Sequence, residues 1–194
     1  MFGYLIFLSF LGSVLCCCFP KQWEGWTYQT SSHTLNNGSV IYEEESSSLS
    51  VDYNKGFAYY NQTTDTNSGQ TKQIILQDFN KNKEYVIQNN KCTTLNYTTS
   101  VELACIPMGS KILSRSYVGA GMTKLNATLY KYMDITGTRF YFEVVDDGCI
   151  PLMTDTASPN WLGEGSKKTT VTYMGISKGI QNPSVFNVPA ICMK

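Results

Sequence analysis

The residues of this 194-residue chain whose types could do chemistry are chiefly its seven cysteines. Cys16, Cys17 and Cys18 sit together, and Cys92, Cys105, Cys149 and Cys192 follow at wide intervals without a Cys-x-x-Cys spacing. Zinc sites and thioredoxin-type centres use that spacing, so the thiols read as partners in disulfides, with several connectivities open. Nucleophilic catalysis has little to work with. The single His33 lies in the polar run Ser31-Ser32-His33-Thr34 beside a turn at Asn36-Asn37-Gly38, where a solvated loop residue is the plain reading. Ser-His and Cys-His machinery would rest on that one ring. Gly119-Ala120-Gly121 does not extend to a phosphate-cradling GxGxxG, and no Walker sequence occurs. The densest acidic spots are Asp146-Asp147-Gly148 and Glu43-Glu44-Glu45. A hard cation such as calcium takes about six to eight oxygens, and neither run resembles an EF-hand loop. Asp146 and Asp147 are the metal candidates; a solvated acidic loop is the alternative.

The asparagines add a modification chemistry. Asn37-Gly38-Ser39, Asn61-Gln62-Thr63, Asn96-Tyr97-Thr98 and Asn126-Ala127-Thr128 are acceptor sequons, whereas Asn182 is blocked by Pro183. They match what precedes them. Residues 1–15 are apolar and carry no charged side chain, too short a run for a bilayer core that needs about 20 residues. It fits a secretory signal, with Val14 and Cys16 as the small residues before a cut between Cys16 and Cys17; a cut after Cys17 is the neighbouring choice. The expected mature chain is residues 17–194, a single domain in the extracellular space or the lysosomal lumen. Its 15 basic residues are balanced by 15 acidic ones. No basic cluster is present to neutralise phosphates, which argues against nucleic acid, and no second long apolar run provides a transmembrane segment.

The elements that must position these residues read as strands. Thirteen Tyr, nine Phe and many Thr, Val and Ile favour them. Leu49, Val51 and Tyr53 alternate with polar neighbours, and Phe57 and Tyr59 share a face after Gly56. Ile74–Leu76 and Tyr85–Ile87 flank the polar turn Asn80–Lys83, predicting a hairpin. Leu125, Ala127 and Leu129 alternate with Asn126 and Thr128, which predicts Leu129 inward and Asn126 outward. Phe140, Phe142 and Val144 line one face of the next strand. Ser46–Ser48 and Asn61–Gln70 have loop compositions. The class expected is all-β: two stacked, curved antiparallel sheets, a sandwich or open half-barrel. Residues 175–194 form an irregular strap, because Pro183 and Pro189 forbid a regular element while Ile180, Val185, Phe186, Val188 and Ile191 demand burial.

Both ends of the chain carry a family resemblance. Gly179-Ile180, Asn182-Pro183-Ser184-Val185-Phe186 and Pro189-Ala190-Ile191-Cys192 resemble the C-terminal run of the ependymin family, particularly its mammalian ependymin-related branch. Cys17-Cys18-Phe19-Pro20-Lys21-Gln22-Trp23-Glu24-Gly25 is similar to that family's opening, and Cys92 and Cys149-Ile150-Pro151 fall at its inner cysteines. The resemblance implies disulfides Cys17–Cys149 and Cys92–Cys192. The chain lacks the third pair of the ependymin-related pattern, leaving Cys18 and Cys105 as a possible private bridge or a link between subunits. The resemblance further implies an apolar pocket between the sheets that takes a hydrophobic, lipid-like ligand, an association with calcium and a homodimer; the residues give no positive sign of catalysis, so no enzymatic activity is expected. Phe57, Tyr59, Tyr85, Ile87, Leu129, Phe140 and Phe142 are the residues expected to line such a pocket. A calcium-dependent matrix or cell-adhesion component is the alternative. The mature protein should begin at Cys17 and carry glycans on most of Asn37, Asn61, Asn96 and Asn126. N-terminal sequencing and mass before and after glycosidase check this, and an intact Met1 with an unchanged mass would refute it.

Overall fold

The structure is a computed structural model and describes residues 17–96, 105–159 and 165–193; the leader, the third sequon's Tyr97-Thr98 and residues 160–164 lie outside them. Eleven strands follow one another: β1 (Gln22–Thr34), β2 (Val40–Asp52), β3 (Phe57–Thr66), β4 (Gly69–Asp78), β5 (Lys83–Gln88), β6 (Lys91–Asn96), β7 (Lys111–Val118), β8 (Leu125–Met133), β9 (Arg139–Val145), β10 (Ile150–Ser158) and β11 (Ser166–Lys178). They form one sheet in the order β6-β5-β4-β3-β2-β1-β11-β10-β9-β8-β7, every described pairing antiparallel. The all-β antiparallel class therefore holds, and the two layers expected are arms of a single open sheet. β1–β6 make one meander and β7–β11 another, and the pairing of β1 with β11 joins them.

Local chemistry sets the turns. Asn89 and Asn90 connect β5 to β6 with φ of 49° and 58°, the paired left-handed residues of a type I′ hairpin. Between β4 and β5 the Asp78 carboxylate accepts the Lys81 backbone N–H at 3.1 Å and pairs with Lys81 Nζ at 3.0 Å. Gly25 is required for another reason: a Cβ there would stand 2.5 Å from Ile176 Cδ1 on β11. Pro151 occurs in β10 where the register slips between Pro151 and Met153, a bulge that tolerates a missing donor.

Burial along the middle strands shows which way the sheet bends. Ser47, mid-β2, is 0% exposed, while Trp26 on the other face of neighbouring β1 is 58% exposed. The Ser47 face is thus the inner one. Trp23, Leu49, Val51 and Ala58 form a core there with Tyr60, Tyr173 and Ile176 against them. On the outer face Leu76 and Tyr85 pack with Phe186, joined by Phe57, Tyr59, Ile180, Val185 and Val188. Ser46–Ser48 and most of 61–70 are strand, not loop. Their polar side chains mislead because half of them face the interior of a curved sheet.

The strap begins at Gly179, since β11 runs on to Lys178. The Gly179 N–H donates to the Gln22 carbonyl at 2.9 Å. Two short 3₁₀ turns follow, Pro183–Phe186 and Ala190–Cys192, the first with proline at its start, where the missing donor costs nothing. The Phe186 ring stacks on Phe57 at 5.8 Å, and Cys192 bonds to Cys92 on β6 across a separation of 100 residues. A bridge closing so long a loop is worth about 2–5 kcal/mol. Cys192→Ser should lower stability by that order, read from denaturant melts, and release the strap to proteolysis. Unchanged melts would show that apolar contacts alone hold it.

Candidate ligand-binding face

Three disulfides tie the two meanders together. Besides Cys92–Cys192, the structure pairs Cys17 with Cys149 and Cys18 with Cys105. The Ile106 N–H donates to the Cys17 carbonyl at 2.8 Å, so the segment before β1 lies against the segment before β7. Phe19 then meets the Tyr173 ring at 6.3 Å, and Trp23 meets it at 5.9 Å, both edge-on. These rings face inward. Burial raises the Tyr173 hydroxyl pKa, opposed by a hydrogen bond with Thr154.

The residues expected to line one pocket are divided between the two faces. Phe57, Tyr59 and Tyr85 lie on the outer face in the core beneath the strap, with Ile87 on the same face opposite Ile74 and Cys92. Leu129 is opposite Glu143, so it does not share a face with Phe142. Phe140 and Phe142 do face inward, since Phe142 pairs with Thr154, Thr154 with Val171, and Val171 with Gln29 of inner-facing β1. Their inner-face partners on β8 are Tyr132 and Tyr130. The rings of Phe140 and Phe142 stack at 6.3 Å, with Tyr132 at 6.1 Å from Phe140; all four aromatics are only half-buried. The alternation along β8 holds, but the side expected to face inward faces outward. Tyrosine serves either face, and Leu125 at the strand end is 49% exposed. The signal that locates Tyr132 is the turn after β8. Asp134 accepts from the backbone N–H groups of Thr136 and Thr138 at 2.9 and 3.0 Å, and the Thr136 hydroxyl is the first cause of its lowered pKa. That turn sets Tyr132 against Phe140.

Across the sheet on the same face, the lining of β1–β3 is polar. The Gln62 side-chain N–H donates to Thr64 Oγ1 at 3.0 Å, Ser47 Oγ to Glu45 at 3.3 Å and Ser31 Oγ to Glu43 at 3.3 Å. Ser31, Ser47 and Gln62 are all buried. At the Tyr130 end of the aromatic row a cleft of about 500 Å³ opens, lined by Arg115, Thr128, Tyr130, Asp146, Gly148 and the Cys17–Cys149 bridge. An aromatic stretch with a polar, charged cleft at one end suits an elongated amphiphile.

His33 is half-buried at the end of β1, not on a loop. Asp146 and Asp147 are exposed, and among the described residues no group of three or more His, Cys, Asp or Glu side chains comes together. Asn37, Asn61, Asn96 and Asn126 are all exposed; Asn37 already accepts from the Ser39 N–H at 2.9 Å. Asn126 is exposed at the start of β8, although it shares the inner-facing alternation with Thr128. On the outer face Trp26, Tyr28 and Met174 leave an apolar recess open to solvent.

Burial raises the Glu45 carboxyl pKa above its ordinary 4.5; the Ser47 hydroxyl opposes this and Glu43 reinforces it. The folded protein therefore binds more protons here than the unfolded chain, and stability falls as pH rises through that window. Glu45→Gln, which keeps an acceptor for Ser47, should raise stability at neutral pH, with the gain vanishing below pH 4.5. Melts of both proteins across pH check the sign.

Among solved structures, an uncharacterized conserved protein from Thermus thermophilus aligns with 88% of this chain and 87% of its own at 7% identity and a TM-score of 0.48. A LolA superfamily protein from Nitrosomonas europaea covers 89% and 93% at 10% identity and a TM-score of 0.35. Likeness this loose bears on nothing further. The Ependymin-related protein 1 of Haliotis asinina is 26% identical over 189 residues, which is 91% of this chain and 90% of that protein. Residues 66–192, more than half the chain, match the family model for Ependymin. The chain belongs to the ependymin family.

Proposed function

We propose that this protein is a secreted, non-enzymatic carrier that holds a hydrophobic, lipid-like molecule against the inner face of its sheet. The observation that carries the reading is the row Tyr130, Tyr132, Phe140 and Phe142, four aromatic side chains turned inward yet only half-buried. Rings in a filled core would be shielded as Leu76 and Val144 are, each at 0% exposure. A ligand laid on the row removes its own apolar surface and theirs from water, at about 25 cal/mol per Å². Three disulfides suit an oxidising compartment, and family membership supports the same setting. No helix of the described residues is long and apolar enough to cross a membrane.

A matrix or adhesion role is the second reading, and the exposed outer recess of Trp26, Tyr28 and Met174 favours it. The two are separated by delipidated protein and a fluorescent fatty acid. Phe142→Ala should weaken probe binding measurably, while costing less stability than the ~3–5 kcal/mol of a packed core phenylalanine. A full cavity penalty, with no probe bound by the parent protein, would leave the carrier reading without support and the adhesion reading ahead.

A further inference from the structure

The cleft at the end of the aromatic row bears two opposite charges that do not neutralise each other. Arg115 and Asp146 both line it, yet the ion pairs among the described residues are Lys81–Asp78 and Lys168–Asp155. Arg115 stands opposite Thr128 on β8, two residues from Tyr130, and Tyr130 stands opposite Phe142. The cation is therefore continuous with the row along one sheet face. Asp146 is placed by its backbone, whose N–H donates to the Asn126 carbonyl at 2.9 Å. From Thr128 to Tyr132 the strand advances about 14 Å at ~3.4 Å per residue, enough to support much of an extended acyl chain. The Cys17–Cys149 bridge lines the rim, and the two charges are held on β7 and at the end of β9, which both pair with β8.

We propose that this rim reads a zwitterionic headgroup: a phosphate on Arg115 and a cationic amine on Asp146, with the single apolar tail of the same molecule lying on Tyr130, Phe142, Phe140 and Tyr132. A guanidinium presents a fork of donors that matches phosphate oxygens. The neighbouring carboxylate disfavours a ligand that is only anionic, and Arg115 disfavours one that is only cationic. A headgroup carrying both charges satisfies both, which selects single-chain phospholipids over free fatty acids and long-chain amines.

The inference rests on the carrier reading, and one experiment keeps the two apart. Lysophosphatidylethanolamine, palmitic acid and hexadecylamine, each with a matched tail and kept monomeric, compete for the delipidated protein against a bound apolar probe. The zwitterion should compete about tenfold better than either singly charged ligand, the worth of one charge-assisted hydrogen bond. Arg115→Gln should weaken the zwitterion and palmitic acid but strengthen hexadecylamine; Asp146→Asn should weaken the zwitterion and the amine but strengthen palmitic acid. Arg115→Lys should restore part of the preference. Both positions are exposed, and denaturant melts check that the variants fold as the parent does. Equal competition by all three, or a zwitterion unaffected by either variant while Phe142→Ala still weakens the probe, overturns the headgroup assignment and leaves the carrier standing. No probe bound at all overturns both.

Discussion

The β1–β11 ladder is the interaction on which the rest depends. Each meander is built from hairpins that sequence-local turns can form, but neither has a covered face by itself. Pairing the first strand with the last, from Trp23 opposite Lys178 to Thr34 opposite Ser166, merges them and turns one face inward. The close approach at Gly25 and the bulge beside it bend β1 at this seam. The edge-on contact of Trp23 with Tyr173 fills its inner side. Such non-local pairing must meet its chain-closure entropy before contacts reward it.

All three disulfides serve that join. Cys17 and Cys18 precede the first meander and bond to Cys149 and Cys105, which precede strands of the second. Cys192 follows the second and bonds to Cys92 within the first. Sequence separations of 132, 87 and 100 residues make each a constraint on a long loop, where cross-linking restricts the unfolded ensemble most. The bridges and the ladder thus hold the same two halves together.

The two faces then have different fates. On the outer side the strap supplies Phe186, Val185 and Val188 to Leu76, Tyr85 and Phe57, so the protein completes its own core there. On the inner side the first meander packs tightly around Trp23 and Leu49, while the second presents a row of half-buried rings beside a charged rim. Ser31, Ser47 and Gln62 keep hydrogen-bond partners in their burial, which is what buried polar groups require. That uneven filling of one curved face is the physical basis for a ligand site.

By itself the amino-acid sequence determined the elements: strands from period-two alternation, hairpins from Asn-rich turns, an irregular strap from Pro183 and Pro189. All of these follow from interactions within a few residues. It also carried the family, in motifs at the two ends of the chain. The tertiary structure alone decided which side each strand presents. Phe57 and Phe142 belong to equally regular alternations, yet one lies under the strap and the other faces the interior. A one-residue change of register exchanges the two faces, and Tyr, Thr and Ser are acceptable on both. Only the β1–β11 pairing and the curvature it imposes distinguish inside from outside, and those depend on residues far apart in the chain, such as Trp23 and Lys178.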